Sequence, residues 1–217
     1  MKRIGIYNNK GGVGKTTSII NLAYGIQKHG KKVLVVDCDT QENCFMFFTI
    51  SNERDSLVFP TAYENIYHTT WDAYNKISDF NYDYILFDCP PALSETVRSI
   101  IKTCDCIYVP TILGEFEIAG LKNVTEEIQR QGTKLGGVFV TMFNAENDGE
   151  LIDEFKAMLQ DRLCESVIPY SKTVRESQKA GLAIEPYFTS RNVPKIGSAW
   201  KIVNAYNTLA EEIINKQ

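Results

Sequence analysis

Residues 8–17 read Asn-Asn-Lys-Gly-Gly-Val-Gly-Lys-Thr-Thr, and they constrain the chain more than any other stretch. They follow the short run Arg3-Ile4-Gly5-Ile6-Tyr7 and precede a segment with Ile19, Leu22, Ala23 and Ile26 at helical spacing. The predicted layout is strand, glycine loop, helix. Gly11, Gly12 and Gly14 lack a Cβ, so the backbone can turn its N–H groups inward as a concave nest for an anion. A helix opening near Thr16 adds its unpaired N-terminal N–H groups and the positive end of its dipole, and Lys15 adds a full charge. The Thr16 hydroxyl is then placed to ligate Mg²⁺. Gly11, Gly12, Val13, Gly14, Lys15, Thr16 and Thr17 are the candidate contacts to a bound polyphosphate.

The general phosphate-loop pattern has glycine where this chain has Asn9, and a second lysine, Lys10, follows. The stretch Lys10–Thr17 resembles the deviant Walker A loop of the ParA/MinD ATPases. That resemblance implies one P-loop ATPase domain over residues 1–217, with ATP and Mg²⁺ as cofactors. It also implies a homodimer that forms when ATP is bound, in which Lys10 reaches the partner's phosphates.

A chain of 217 residues suits one α/β domain with a substantial core. Hydrophobic content of 44% and charged content of 23% are those of an ordinary globular protein. The N-terminal stretch has no basic-then-apolar signal, and no apolar run approaches the roughly 18 residues of a membrane span, so a cytoplasmic location is expected. Six cysteines, Cys38, Cys44, Cys89, Cys104, Cys106 and Cys164, sit mostly in or beside apolar runs and read as buried free thiols. With no CxxC pair and only His29 and His68 as histidines, the sequence offers no zinc site.

Further along, Val33–Val36 reads as a strand buried on both faces and ends in Asp37-Cys38-Asp39. Residues 45–80 are rich in aromatics and weakly periodic; short helices and connections are expected there, with the rings serving core or dimer surface. Tyr84–Phe87 is a second buried strand, ending in Asp88 before Cys89-Pro90-Pro91, and Ile107-Tyr108-Val109-Pro110 repeats the strand-then-proline form. A helix carrying Leu121, Val124 and Ile128, a strand over residues 138–143, a helix over 151–163, a short strand over 167–169 and a last helix around Trp200–Ile213 complete the pattern. The expected fold class is α/β, a P-loop NTPase with a mostly parallel twisted sheet and helices on both faces.

Phosphoryl transfer asks mainly for positioning and charge neutralisation around the γ-phosphate. Lys15 supplies the charge, and Thr16 and Asp88 are candidate Mg²⁺ ligands, with Asp37 bracing the metal shell. By resemblance, Asp39-Thr40-Gln41-Glu42-Asn43 matches the family's switch loop with Thr40 in place of proline, and Asp39 orients the attacking water. Lys10, Lys15 and Asp39 are thus the candidate catalytic residues. Phe87–Pro91, Pro110–Gly120 and Ile168-Pro169 with Arg175-Glu176 match later family segments in order. Asn144 resembles the position that reads adenine; a turn asparagine is the other reading.

Net charge is −4, yet Lys172, Arg175, Lys179, Arg191, Lys195 and Lys201 against Glu176 and Glu185 give residues 172–201 a local +4. The run reads either as a solvated face or as a patch for nucleic-acid phosphates. Resemblance to ParA implies a partition ATPase of the short plasmid or mobile-element type. In that reading the ATP-bound dimer binds DNA without sequence preference, associates with the nucleoid, and hydrolyses ATP when a ParB-like centromere-binding protein stimulates it. The alternative is a MinD-like surface-associated positioning ATPase. MinD-type chains end in a basic amphipathic helix, whereas Glu211 and Glu212 oppose attraction to anionic lipid here, so no stable membrane association is expected. Iron–sulfur relatives would need paired cysteines, and Cys104-x-Cys106 has the wrong spacing; no NKxD sequence suggests guanine.

Overall fold

The structure, a computed structural model, describes residues 1–49 and 56–216. Chain order is β1 (Lys2–Ile6), α1 (Lys15–Gln27), β2 (Val33–Asp37), α2 (Asn43–Phe48), β3 (Phe59–Pro60), β4 (Ile66–Thr70), α3 (Trp71–Tyr74), β5 (Tyr84–Asp88), α4 (Glu95–Thr103), β6 (Cys106–Thr111), α5 (Glu115–Arg130), β7 (Lys134–Phe143), α6 (Gly149–Leu159), β8 (Leu163–Pro169), α7 (Thr173–Lys179), α8 (Ile184–Ser190) and α9 (Lys201–Asn215). The strands form one sheet in the order β3-β4-β2-β5-β1-β6-β7-β8. Every pairing is parallel except β3 with β4. This is the expected α/β P-loop NTPase architecture.

The apolar runs read as doubly buried strands divide by alternation between two cores, because successive side chains of a strand point to opposite faces. Ile4, Ile6, Val33, Val35, Leu86 and Tyr108 pack under α1, α8 and α9. Leu34, Val36, Ile85, Phe87, Ile107 and Val109 pack under α4, α5 and α6. The central strand β1 lies between β5 and β6, so the loop after Ile6 emerges at the carboxyl edge, where open α/β sheets bind ligands. All six cysteines are free and buried, as expected from their apolar neighbours.

Three local expectations need correction. Residues 66–70, expected among short helices and connections, form β4, a full sheet strand in parallel register with β2. Ile66-Tyr67-His68-Thr69-Thr70 hid this by putting a histidine where a strand core has an aliphatic residue; His68 is only 2% exposed. Short helices α2 and α3 flank this strand as expected, and residues 50–55 lie outside the described residues. The expected helix over 151–163 ends at Leu159, and after a 3₁₀ turn at Gln160–Arg162 the chain becomes β8, longer than the expected 167–169. Exposed Glu165 breaks the apolar run there, because β8 is an edge strand. Pro110 lies inside β6 rather than after it. Pairing of β6 with β1 ends at Tyr108, so the N–H that proline lacks has no strand to bond on that side.

Aromatics of this region serve the core. Phe45, Phe48 and Tyr74 are buried, and Phe45 and Phe59 stack around His68 at ring separations of 4.6 and 5.5 Å.

Candidate functional site

The glycine loop is held from both sides by residues outside the glycine pattern. Buried Asn8 accepts from the Lys10 N–H through Oδ1 (2.9 Å) and donates through Nδ2 to the Pro110 carbonyl (2.8 Å). From β7, the Thr141 hydroxyl lies 3.0 Å from the Val13 carbonyl and 3.2 Å from that of Thr111, tying the loop tip to the sheet edge. Gly12 and Gly14 adopt φ of +75° and +83°, which only glycine takes without strain. Helix α1 starts at Lys15 directly after Gly14, so its free N–H groups open into the loop. The Lys15 ammonium donates to the carbonyls of Asn8 (3.1 Å) and Lys10 (2.8 Å). Burial lowers its pKa, while Asp88 and Asp39 act in the opposite direction.

Three carboxylates meet this loop. Asp37 and Asp88 are register partners on β2 and β5, and Asp88 is also paired with Ile6, the last residue before the loop. Asp88 is 2% exposed, and its carboxyl is pushed up to about 7, by burial first and then by Asp37 and Asp39. A hydrogen bond with the Thr16 side chain and the charge of Lys15 pull the other way. The site thus gathers more anionic charge than Lys15 neutralises. A hard divalent cation between the Thr16 hydroxyl and Asp88 suits this oxygen donor set, and its charge would restore Asp88 to the carboxylate.

Asp37 has a different local task. Its two oxygens accept from the backbone N–H groups of Asp39 (3.0 Å) and Phe45 (2.7 Å), so it fastens the intervening loop to α2. Asp39 stands half-buried, with Oδ1 accepting from the Gln41 N–H at 3.0 Å. The Lys10 ammonium pairs with the Glu117 carboxylate on α5 of its own chain.

Beside Gly14 and Thr17 opens a cavity of about 600 Å³. Met142, Pro169 and Tyr170 line one part of it, and Lys172, Arg175 and Lys179 line the α7 side. Asn144 does not line this cavity but a smaller one of about 290 Å³, shared with Tyr170 and Lys201. Its Oδ1 accepts from the Glu146 N–H (3.1 Å) and its own N–H donates to Asp148 (2.7 Å), which closes a turn. All six cationic residues of the basic run are exposed. The Arg191 guanidinium lies over the Tyr187 ring and the Lys195 ammonium over Trp200, at 4.7 and 5.8 Å.

Sequence reasoning missed Asn8, Thr141 and Gln178, whose Nε2 donates to Thr17 Oγ1 at 3.0 Å. Asn8 carried a usable signal, a polar residue directly following a buried strand. Thr141 and Gln178 act through tertiary contacts and had none.

Residues 4–184 match the CobQ/CobB/MinD/ParA nucleotide binding domain. The chain belongs to that family. Among similar proteins, the chromosome-partitioning ATPase Soj of Thermus thermophilus is 27% identical over 247 aligned positions, covering 99% of this chain and 96% of that protein. The fold superposes on MinD of Pyrococcus horikoshii complexed with Mg-ADP with a TM-score of 0.80, at 22% identity over 99% of this chain and 96% of that one. A plasmid partition protein of Borrelia burgdorferi bound to AMPPNP gives 0.76, at 19% identity over 100% and 99% of the two chains. The CobQ/CobB/MinD/ParA assignment agrees with the site: in this nucleotide binding domain the glycine loop, Lys15, Thr16 and Asp88 converge at one sheet edge.

Proposed function

We propose that this protein is a DNA partition ATPase. ATP and Mg²⁺ bind at residues 10–17; Thr16 and Asp88 hold the metal, with Asp37 bracing them. Two chains close face to face with each Lys10 on the other's phosphates. Asp39 orients the attacking water, and a ParB-like partner accelerates hydrolysis. The dimer holds DNA without sequence preference through the basic run, which places it on the nucleoid. The observation that carries this reading is the place of buried Asp88, the register partner of Ile6, at the sheet edge from which the loop bearing Lys10 and Lys15 emerges. Similarity to Soj along nearly the whole chain supports the partition role.

The cavity beside Gly14 is the seat for the nucleoside, with Asn144 at the adjoining rim. Lys172, Arg175 and Lys179 sit at the border between nucleotide and solvent, where they can meet either the nucleotide or DNA phosphates.

Binding to random-sequence DNA, measured with Mg-ATP, with Mg-ADP and without nucleotide across a salt titration, tests the proposal. Binding only with ATP and weakening steeply with salt is the expected result. No binding under any condition would overturn the DNA role and favour a MinD-like surface-positioning ATPase, to be examined next by liposome co-sedimentation with ATP. The apolar face of α9, from Ile202 to Ile213, is spent on the core and so is not offered to a lipid surface. Among the described residues no helix is long and apolar enough to cross a membrane.

A further inference from the structure

Helix α1, which carries the phosphate-binding N-terminus, is joined to the last third of the chain at three levels. Thr17 Oγ1 accepts from Gln178 Nε2 at 3.0 Å, Asn21 Oδ1 accepts from the Ile184 N–H at 3.0 Å, and Lys28 Nζ donates to Glu185 Oε2 at 2.6 Å. Positions 17, 21 and 28 are separated by one and two helical turns and share one face. These links differ in kind. The Asn21–Ile184 bond is buried and fixes the start of α8. The Gln178–Thr17 bond is exposed, joins two side chains, and lies in the wall of the large cavity. Between them Gly181, at φ +65°, connects α7 to α8 with open space around it. Helix α7 is tied to α8 across this glycine joint, where the Tyr187 hydroxyl donates to Glu176 at 3.3 Å, and it packs on the core through Val174 and buried Ser177. Among the described residues its one side-chain hydrogen bond to α1 is that of Gln178.

A hydroxyl has one proton to give and two lone pairs to receive with. With nothing bound, the Thr17 proton is free to rotate, and the exposed amide of Gln178 competes with water for the oxygen. A phosphate oxygen accepts only, so a nucleotide at the loop requires Thr17 to donate toward it. That turns the lone pairs outward to Gln178 and polarises the pair of bonds in one direction. We propose that Gln178 is a positioning residue through which bound nucleotide fastens α7, and with it the cations of Lys172, Arg175 and Lys179, to the phosphate-loop helix. The inference rests on the nucleotide site of the proposed function and not on its DNA role.

Hydrogen exchange of residues 173–181, measured with and without saturating Mg-ADP or a non-hydrolysable ATP analogue, reads the fastening directly. In the wild type the nucleotide should slow exchange at least threefold. Gln178→Ala should lose that slowing while still binding nucleotide. Gln178→Glu, which keeps the shape but has no N–H to donate, should lose it as well. Equal slowing in wild type and both variants, retention in Gln178→Glu alone, or a wild type whose α7 does not respond to bound nucleotide would each overturn the inference. A wild type that binds no nucleotide would overturn the proposed function with it. DNA binding is scored separately, so its failure removes the DNA role and leaves the result on Gln178 intact.

Discussion

Lys10, the lysine expected to cross to a partner's phosphates, is held by Glu117 of its own chain. The lysine side chain is 48% exposed and the glutamate 9%, so the pair lies at the solvent boundary and is worth no more than about 1 kcal/mol. A dimer that uses Lys10 must first break it. Glu117→Gln should lower the ATP concentration at which dimers form by up to about fivefold, since about 1 kcal/mol corresponds to that factor. Light scattering across an ATP titration measures it, and an unchanged midpoint would show that the pair does not restrain Lys10.

Asp88 is buried with its carboxyl raised to about 7, so the folded state binds a proton that the unfolded chain releases near the usual carboxylate range. Its contribution to stability is present at acid pH and is lost as pH rises through about 7. Asp88→Asn should therefore stabilise the nucleotide-free protein at pH 8, by up to about 4 kcal/mol, and abolish Mg²⁺-dependent ATP hydrolysis. Urea unfolding without nucleotide, paired with a phosphate-release assay, reads both; destabilisation at pH 8 would argue against a strained carboxyl.

His68 is enclosed by Phe45, Phe48 and Phe59, and among the described residues neither ring nitrogen has a hydrogen-bond partner. Burial lowers its pKa to about 4, below the unfolded value. Between about pH 6.5 and pH 4 the unfolded chain therefore binds the extra proton, and stability falls as pH falls through that window. The loss should reach about 3 kcal/mol. His68→Phe should flatten that part of the pH–stability curve; an identical slope in wild type and variant would remove His68 as its source.

Gly136 lies against the ring of Tyr108, where an added Cβ would stand 2.4–2.9 Å from three ring atoms. Tyr108 is 1% exposed and has no room to withdraw. Gly136→Ala should cost about 1–3 kcal/mol through overpacking and lower the melting temperature, as followed by circular dichroism. A melting temperature equal to wild type would mean that β6 and β7 separate more readily than their packing implies.

The phosphate loop was legible because it is local. Glycine freedom, a lysine, a threonine and flanking strand and helix patterns all fall within about twenty consecutive residues, and each has one physical meaning there. Strand-end acids were legible for a related reason, since an aspartate ending a doubly buried run must sit at a sheet edge. Strand β4 was not legible, because its histidine, tyrosine and threonines become strand-like only when rings from α2 and β3 close over them. Pro110 inside β6 depends on where the neighbouring strand ends, which no local rule can state.

By itself the sequence determined the α/β alternation, the glycine loop and the position of Lys15, Thr16 and Asp88 at one sheet edge. Tertiary structure alone decided that Asp37 spends its carboxylate on the loop backbone, that Asn144 closes a turn, that Lys10 meets Glu117 and that Gln178 reaches Thr17. Those contacts join residues as far apart as 161 positions, and a hydrogen bond or ion pair is set by distance and angle in space, for which spacing along the chain carries no signal.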